Sequence, residues 1–394
     1  SYTISLRIIN WVKWHLKGNF LKDHALHSLE IQIRFLSKNI ENHLLGNHLF
    51  TNAKALIFAG LFFDHSESED WYNQGFKLIN NELSEQILND GGGFELSTMY
   101  HALLLEDLLD LLNIHYCFER QPPNGIEDKI NLMYLWLLTM THPDGEVSFF
   151  NDSAFNIAPS LEEIKQYINR LHKVRLIKVD IERNINQPII NLNDSGYTRL
   201  EVENLVLILD RGSIGPDYIP GHAHADTLSF EISLFNKRVI VNSGTSTYEK
   251  NVERHLQRST SAHSTVVIDG ENSSEVWDSF RVARRARVFN LVDDIQVGKI
   301  MVSASHNGYH RLFGKPTHNR KWQLSESLLE ITDLISGFGE HSISLIFPLH
   351  PEVIISNFDK ENIFLDIQGR QVEINFIGNG ELFVEASTYH QHQL

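Results

Sequence analysis

The sequence predicts an α+β chain of two domains, helices first and antiparallel β-sheets second. Three observations predict it. Apolar residues recur at helical spacing as far as about residue 175, short runs then alternate apolar and polar residues, and the two regions meet in a polar stretch that closes on Pro188. A run of helices followed by a run of strands, without strict alternation, is the pattern of segregated α and β layers. The domains are expected at residues 1–180 and 181–394.

In the first domain, Ile8, Ile9, Trp11, Val12 and Leu16 form one apolar face, and Leu26, Leu29, Ile33, Leu36, Ile40 and Leu44 form a second. Leu49, Ala53, Leu56, Ile57, Gly60 and Leu61 form a third, and Trp71, Phe76, Ile79, Leu83 and Ile87 a fourth. Residues 99–112 and 130–140 add two more helices. The connections are short and carry Gly, Asn, Asp or Pro, so successive helices pack as antiparallel hairpins. Hairpins in series stack as a solenoid or curl into an α/α toroid, and periodicity does not choose between them.

In the second domain, residues 205–209, 228–234, 238–241, 265–268, 285–292 and 321–331 read as strands. So do residues 341–347, 353–355, 363–367, 372–376 and 382–386, with turn signals such as Asp269-Gly270 and Gly378-Asn379-Gly380 between them. Many strands without intervening helices point to an antiparallel β-sandwich. A cleft between an α domain and a β domain is a common place for a ligand.

The net charge of −16 argues against a nucleic-acid-binding surface, so an anionic ligand would need a local basic groove. Cys117 is the lone cysteine, which excludes a disulfide scaffold. No apolar run is long enough to span a membrane. Residues 1–7 run straight into a helical pattern rather than a secretory leader, and the absent initial Met points to processing or a trimmed chain.

The stretch Gly221-His222-Ala223-His224-Ala225-Asp226-Thr227-Leu228-Ser229-Phe230-Glu231 is the centre of the functional reading. On an extended segment His222 and His224 project from one face. His263, in Ala262-His263-Ser264-Thr265, precedes another strand. The three suit a metal site or an acid/base site on a sheet, against the plainer alternative of polar strand ends. In the helical half, Gly46-Asn47 breaks the periodicity, and Asn47 suits the N-cap of the next helix. In Asp90-Gly91-Gly92-Gly93-Phe94-Glu95-Leu96-Ser97-Thr98-Met99-Tyr100-His101, a Ser97 cap puts Tyr100 in the first turn of a helix. The helix dipole there favours loss of the phenol proton. Phe149-Phe150-Asn151-Asp152-Ser153 reads as a polar loop. Arg281, Arg284, Arg285 and Arg287 form a basic patch, and on an extended segment Arg281, Arg285 and Arg287 share a face suited to carboxylate or sulfate.

These motifs, in this order, resemble those of the heparinase II/III-like polysaccharide lyases, which include related alginate lyases. The resemblance covers most of the chain. It implies an α/α toroid followed by an antiparallel β-sandwich, and cleavage of a uronic-acid-containing polysaccharide by β-elimination. That chemistry neutralises the uronate carboxylate, removes the C5 proton and protonates the departing O4. By resemblance, Asn47 holds the carboxyl group with His48 assisting, Tyr100 is base, acid or both, and His222 is the second acid/base or charge neutraliser. Glu95, Asn151, Asp152, Arg281 and Arg285 are the residues expected to bind substrate. His224, Asn242 and His263 take the positions of ligands to a divalent metal such as Zn, Ca or Mn. Asn242 stands where the family has an aspartate, and a neutral amide is a poorer ligand, with Asp226 available to compensate. Gly93 also departs, where a bulkier polar residue is expected. The implied partner is an acidic (uronate) polysaccharide, with no nucleic acid, and the implied location is the periplasm or outside the cell, the cytoplasm staying open.

Three other readings compete. A non-catalytic polysaccharide-binding or assembly protein on the same scaffold would not need a phenol and an imidazole beside an amide. A cupin-like metal enzyme leaves the helical half unexplained. A two-carboxylate glycosidase has no pair that stands out among Glu95, Asp152, Asp226 and Glu231. The acidic balance suits a weakly charged bacterial uronate polymer at least as well as heavily sulfated heparin.

Overall fold

A computed structural model describes residues 1–171 and 187–390. The expected domain boundary at residue 180 lies outside the described residues. Seven helices come first among them: α1 (Tyr2–Leu16), α2 (Asp23–Lys38), α3 (Gly46–Phe62), α4 (Ser68–Glu85), α5 (Thr98–Cys117), α6 (Ile126–Thr139) and α7 (Leu161–Arg170). Their apolar faces meet in one core, with Ile8, Val12, Leu29, Ile33, Phe50, Leu56, Leu108, Leu112 and Ile130 all fully buried. Helix α3 is buried on every side from Leu49 to Ala59 and packs against α1, α4 and α5. Glycine makes its hairpin with α4 possible. A Cβ at Gly75 would lie 2.6 Å from the Ala53 carbonyl oxygen, so the two backbones meet closer than any side chain allows.

The strand half opens with β1 (Ile189–Leu192), β2 (Tyr197–Val202), β3 (Leu205–Asp210), β4 (Phe230–Leu234) and β5 (Lys237–Ile240), paired in that order in one antiparallel sheet. A short helix α8 (Val252–Gln257) follows, then β6 (Val266–Ile268), β7 (Glu275–Trp277) and β8 (Arg281–Ala283). Strands β9 (Val288–Gln296), β10 (Lys299–His306), β11 (Thr317–Ser325) and β12 (Leu329–Ser336) form a second antiparallel sheet. Strand β13 (Ile343–Leu345) pairs with β6, and β14 (Ile354–Phe358), β15 (Asn362–Ile367) and β16 (Arg370–Asn375) form a third sheet. Leu207, Phe230 and Ile232 of the first sheet, Val302 and Trp322 of the second and Leu365 of the third share one core. A smaller cluster ties the halves together: Leu96, Trp136 and Met140 pack on Tyr197, Val206 and Ile208.

Three expectations change. Residues 321–331 are not one strand but parts of β11 and β12 joined at a hairpin, in which Ser325 N–H donates to the Leu328 carbonyl at 2.9 Å. Its short turn lacks the glycine or proline that would have punctuated the run. Residues 382–386 form no strand. The segment at residues 281–287 is not continuously extended, because β8 ends at Ala283 and Arg284 takes a positive φ of 32°. The arginines there do not share one face.

Candidate active site

The histidine stretch is a loop, not a strand. Turns hold it, with Ala223 N–H on the Pro220 carbonyl at 3.2 Å and Ser229 N–H on the Asp226 carbonyl at 2.8 Å, and β4 begins only at Phe230. The two histidines still converge, because they reach one carboxylate. His222 Nδ1 lies 2.8 Å from Asp152 Oδ2, and His224 Nε2 lies 2.9 Å from Asp152 Oδ1. Arg254, from α8, clamps both oxygens of Asp152, and Thr245 Oγ1 donates to Oδ1 at 3.2 Å.

Asp152 is 0 % exposed and Asn151 is 4 % exposed. Both were expected at the substrate, and both lie beneath the site instead. Asn151 has a φ of 57°. Its amide donates to the Leu96 carbonyl at 2.9 Å and the Tyr197 hydroxyl at 3.2 Å, while its Oδ1 accepts His224 N–H at 2.9 Å. The loop after α6 is therefore an internal brace that joins α5 to the histidine loop.

A cleft above this brace is lined by Tyr2, Asn47, Gly93, Phe94, Glu95 and Tyr100, among others. Asn47 does not cap α3. The helix begins at Gly46 after Leu45, whose φ is 58°, so Asn47 falls in the first turn. Among the described residues its side-chain amide makes no hydrogen bond. A Cβ at Gly46 would lie 2.9 Å from Glu95 Oε1, so glycine lets that carboxylate pack over the start of α3. Ser97 does cap α5, its Oγ accepting Tyr100 N–H at 3.1 Å. The Tyr100 ring lies 4.0 Å from the His222 ring, centroid to centroid. His48 turns elsewhere, with its ring 4.5 Å from that of Tyr2 and its Nδ1 3.4 Å from Glu41. The neighbouring His101 is structural: it stacks on Trp136 at 4.2 Å, and burial lowers its pKa to about 3.

Tyr248 is a site residue that the sequence reading missed. Tyr100 donates its hydroxyl to that of Tyr248 at 3.1 Å. Tyr248 packs 5.6 Å from Phe280 and under the Arg254 guanidinium at 5.0 Å. It sits in an irregular loop after β5, where no periodicity marks it.

The electrostatics divide the groups by role. Burial works against the charge on Asp152, but Arg254 and the two histidines outweigh it and hold the acid well below the usual range. Burial also opposes protonation of His222, and Glu95 and Asp152 overcome it, so its pKa is raised. Burial pushes the phenols of Tyr100 and Tyr248 up, so both are protonated at rest. Glu95 is also raised by burial.

His224 Nδ1 lies 3.2 Å from His263 Nε2. Burial lowers His224 to about 4 and holds His263 well below its usual value, so both imidazoles are neutral. Asn242 is fully buried, and among the described residues both its side-chain polar atoms lack a hydrogen-bond partner, as does His263 Nδ1. Among the arginines, Arg285 is held by Asp217 at 3.0 Å and Arg284 by Glu275. Arg281 remains exposed next to Phe280, which flanks His222 at 6.1 Å.

Comparison with known proteins matches the heparinase II/III N-terminus over residues 11–176 and the heparinase II/III-like C-terminal region over residues 184–393. A heparin-sulfate lyase of Bacteroides stercoris is 26% identical over 245 residues, which are 58% of this chain and 36% of that protein. The heparin-sulfate lyase of Pedobacter heparinus is 22% identical over 264 residues, 63% of this chain and 39% of the relative. This chain thus spans well under half the length of the curated relatives it matches. A crystal structure of heparinase III aligns with a TM-score of 0.74 at 19% identity, over 92% of this chain and 61% of that one.

Proposed function

Since this chain belongs to the heparinase II/III-like family across both of its halves, we propose that it is a polysaccharide lyase that cleaves a uronic-acid-containing chain by β-elimination. One observation carries the reading: Asn47 and Tyr100 line the same cleft, and the Tyr100 ring faces His222 at 4.0 Å. The unpartnered Asn47 amide binds the uronate carboxylate and stabilises the charge that grows on it as C5 loses its proton. Asp152 takes the Nδ1 proton side of His222, which directs Nε2 to the cleft as the base. Tyr100, protonated at rest, donates its phenol proton to O4 as the C4–O4 bond breaks and the C4–C5 double bond forms. Tyr248, 3.1 Å from the Tyr100 hydroxyl, fixes the position of that hydroxyl. The same proposal reads residues 1–180 as helical hairpins of an α/α toroid and residues 181–394 as a β-sandwich, supported by the core that the three sheets share.

A divalent metal fits His224, His263 and Asn242 on the chemistry of the donors. Two neutral imidazole nitrogens 3.2 Å apart match adjacent ligands of a tetrahedral zinc, about 3.3 Å apart for bonds of about 2.0–2.1 Å. The buried Asn242 side chain has no hydrogen-bond partner among the described residues. The bond from His224 Nε2 to Asp152 is the outer-shell carboxylate that metal-bound histidines commonly have. Such an ion would cross-link the loops that carry His224 and His263 and supply Lewis-acid charge beneath the cleft. Chelation is expected to lower the melting temperature of the metal-loaded protein by several degrees. An unchanged melting temperature, with no metal found by elemental analysis, would remove the ion from the proposal.

The test of function is a panel of uronic-acid polysaccharides followed by the ultraviolet absorbance of an unsaturated product. Wild type should produce it from at least one polymer, and Tyr100→Phe should abolish it while binding persists, because the ring stays and only the proton goes. Binding without product in the wild type would move the chain to a non-catalytic polysaccharide-binding role.

A further inference from the structure

Strands β7 and β8 form a hairpin closed by Asp278-Ser279-Phe280, and Asp278 turns the chain with a φ of 53°. Two buried arginines fix that loop to the active site. Arg254, which clamps Asp152, donates Nε and Nη2 to the Ser279 carbonyl at 3.0 and 2.9 Å. Arg258 donates to the Asp278 and Arg281 carbonyls at 3.1 and 3.3 Å. It also donates to the Ala223 carbonyl, between His222 and His224, at 3.1 and 2.9 Å. The Phe280 ring then stands 6.1 Å from that of His222 and 5.6 Å from that of Tyr248.

The outer face of this hairpin is open. Val276 is buried, so Trp277 and Arg281, which are paired across the two strands, point the other way, into solvent. Trp277 is 53 % exposed and Phe280 43 %. A single exposed aromatic is ordinary, but two on one short hairpin beside a reaction centre are a contact surface. Arg284 is bound by Glu275 at 2.6 Å and Arg285 by Asp217 at 3.0 Å. The Arg281 guanidinium, by contrast, has no hydrogen bond and no ion pair among the described residues. Asp278 acts on it across space, but that carboxylate is already held by Ser279 N–H at 2.8 Å and Lys250 Nζ at 3.3 Å.

We propose that this hairpin is a sugar-binding subsite next to the scission point, where the Trp277 indole stacks on a pyranose face and Arg281 binds the carboxylate of a uronate. This rests on the lyase reading and deepens it, by giving the substrate chain a path beyond the reacting sugar. A pyranose presents a face of C–H bonds that suits the electron-rich face of an indole, and a guanidinium fork matches both oxygens of a carboxylate. The clamps of Arg254 and Arg258 hold the hairpin in place before substrate arrives, which cuts the entropy lost on binding.

The experiment uses the polysaccharide of the panel that wild type cleaves fastest and the shortest oligosaccharide of it that is still cleaved. Trp277→Ala and Arg281→Ala should each lower kcat/KM on the polymer about tenfold, chiefly through KM, because the lost contact lies outside the reacting sugar. The loss on the shortest oligosaccharide, which fills fewer subsites, should be several-fold smaller. Both side chains are exposed, so melting temperatures should stay at the wild-type value. Arg281→Lys should recover part of the loss, and Arg284→Ala, which removes the same charge a few residues on, should not reproduce it. Wild-type kinetics in either alanine variant, Trp277→Ala or Arg281→Ala, overturn the proposal. So do equal losses on the two substrates, or an equal loss in Arg284→Ala, which would mean that net charge acts in place of a subsite. If no polymer gives unsaturated product, the lyase reading fails by itself, and dissociation constants for polyglucuronate carry the test. Binding about tenfold weaker in both alanine variants than in wild type supports the subsite. Wild-type affinity in either variant, or no binding by any of the three proteins, overturns it.

Discussion

Asp152 has no capacity left for a ligand. His222, His224, Arg254 and Thr245 fill its two oxygens, close to the about four acceptor directions a carboxylate offers. The Asn151-Asp152 pair looks like a surface loop in the sequence, because polar residues after a helix usually face water. The partners of the two side chains lie 46 to 102 positions away in the chain, and no local pattern announces them. Tyr248 was hidden for the same reason. It becomes a site residue only because a loop after β5 carries its hydroxyl to within 3.1 Å of Tyr100. Tyr248→Phe should lower kcat about tenfold with little change in KM, since it removes one oriented hydrogen bond of about 1 kcal/mol or slightly more. Tyr100→Phe should lose all measurable turnover. Equal losses in steady-state kinetics would make Tyr248 a proton-transfer group itself.

Two helix starts aim the cleft, and their caps decide how. Helix α5 starts as the sequence suggests, because a serine hydroxyl is a good acceptor for the third N–H of a helix, and here that N–H belongs to Tyr100. Ser97→Ala should cost about 1 kcal/mol in urea unfolding from the lost cap alone. Ser97 Oγ also donates to the Asp152 carbonyl at 2.5 Å, so the variant should lose turnover as well, by loosening Tyr100 against the Asp152 brace. Stability lost without any change in kcat would confine Ser97 to capping. Helix α3 begins two residues earlier than an asparagine cap implies, because Gly46 enters it with a φ of 54°. That choice leaves the Asn47 amide for the cleft. Strand limits were less legible. The alternation through β4 was visible, but the two residues before it belong to a turn, and a mixed polar and apolar run without glycine or proline concealed the bend between β11 and β12.

Across the whole molecule, buried polar chains lock the sheets to each other and to the helices. His306 Nδ1 accepts Gly308 N–H at 3.1 Å, His306 Nε2 meets His318 Nδ1 at 3.1 Å, and His318 Nε2 meets Asp333 at 2.6 Å. Arg320 joins Asp333 to the Ser264 carbonyl at 2.6 Å, next to His263. Burial opposes ionisation of Asp333, but Arg320 and His318 outweigh it and depress its pKa. A depressed acid stabilises the fold above its unfolded value of about 3.9 and loses that contribution as pH falls through the folded value. Urea unfolding should therefore show stability dropping below about pH 4. Asp333→Asn should be less stable at pH 7 by about 3 kcal/mol, as expected when a buried ion pair loses one partner, and should decline less steeply in acid. Parallel pH profiles for the two proteins would rule out this role. Between the halves, Glu231 binds His142 at 2.8 Å and accepts the backbone N–H groups of Phe149 at 3.1 Å and Asn242 at 2.8 Å. The sequence by itself determined the order of helices and strands, the two-part layout, the α5 cap and the motifs that mark the family, because periodicity, capping and turn chemistry act over a few residues. Only the tertiary structure decided that Asn151 and Asp152 are buried, that Tyr248 meets Tyr100, and that Glu95 lines the same cleft as Asn47. Burial and pairing depend on which distant segments pack together, and short-range pattern does not record that.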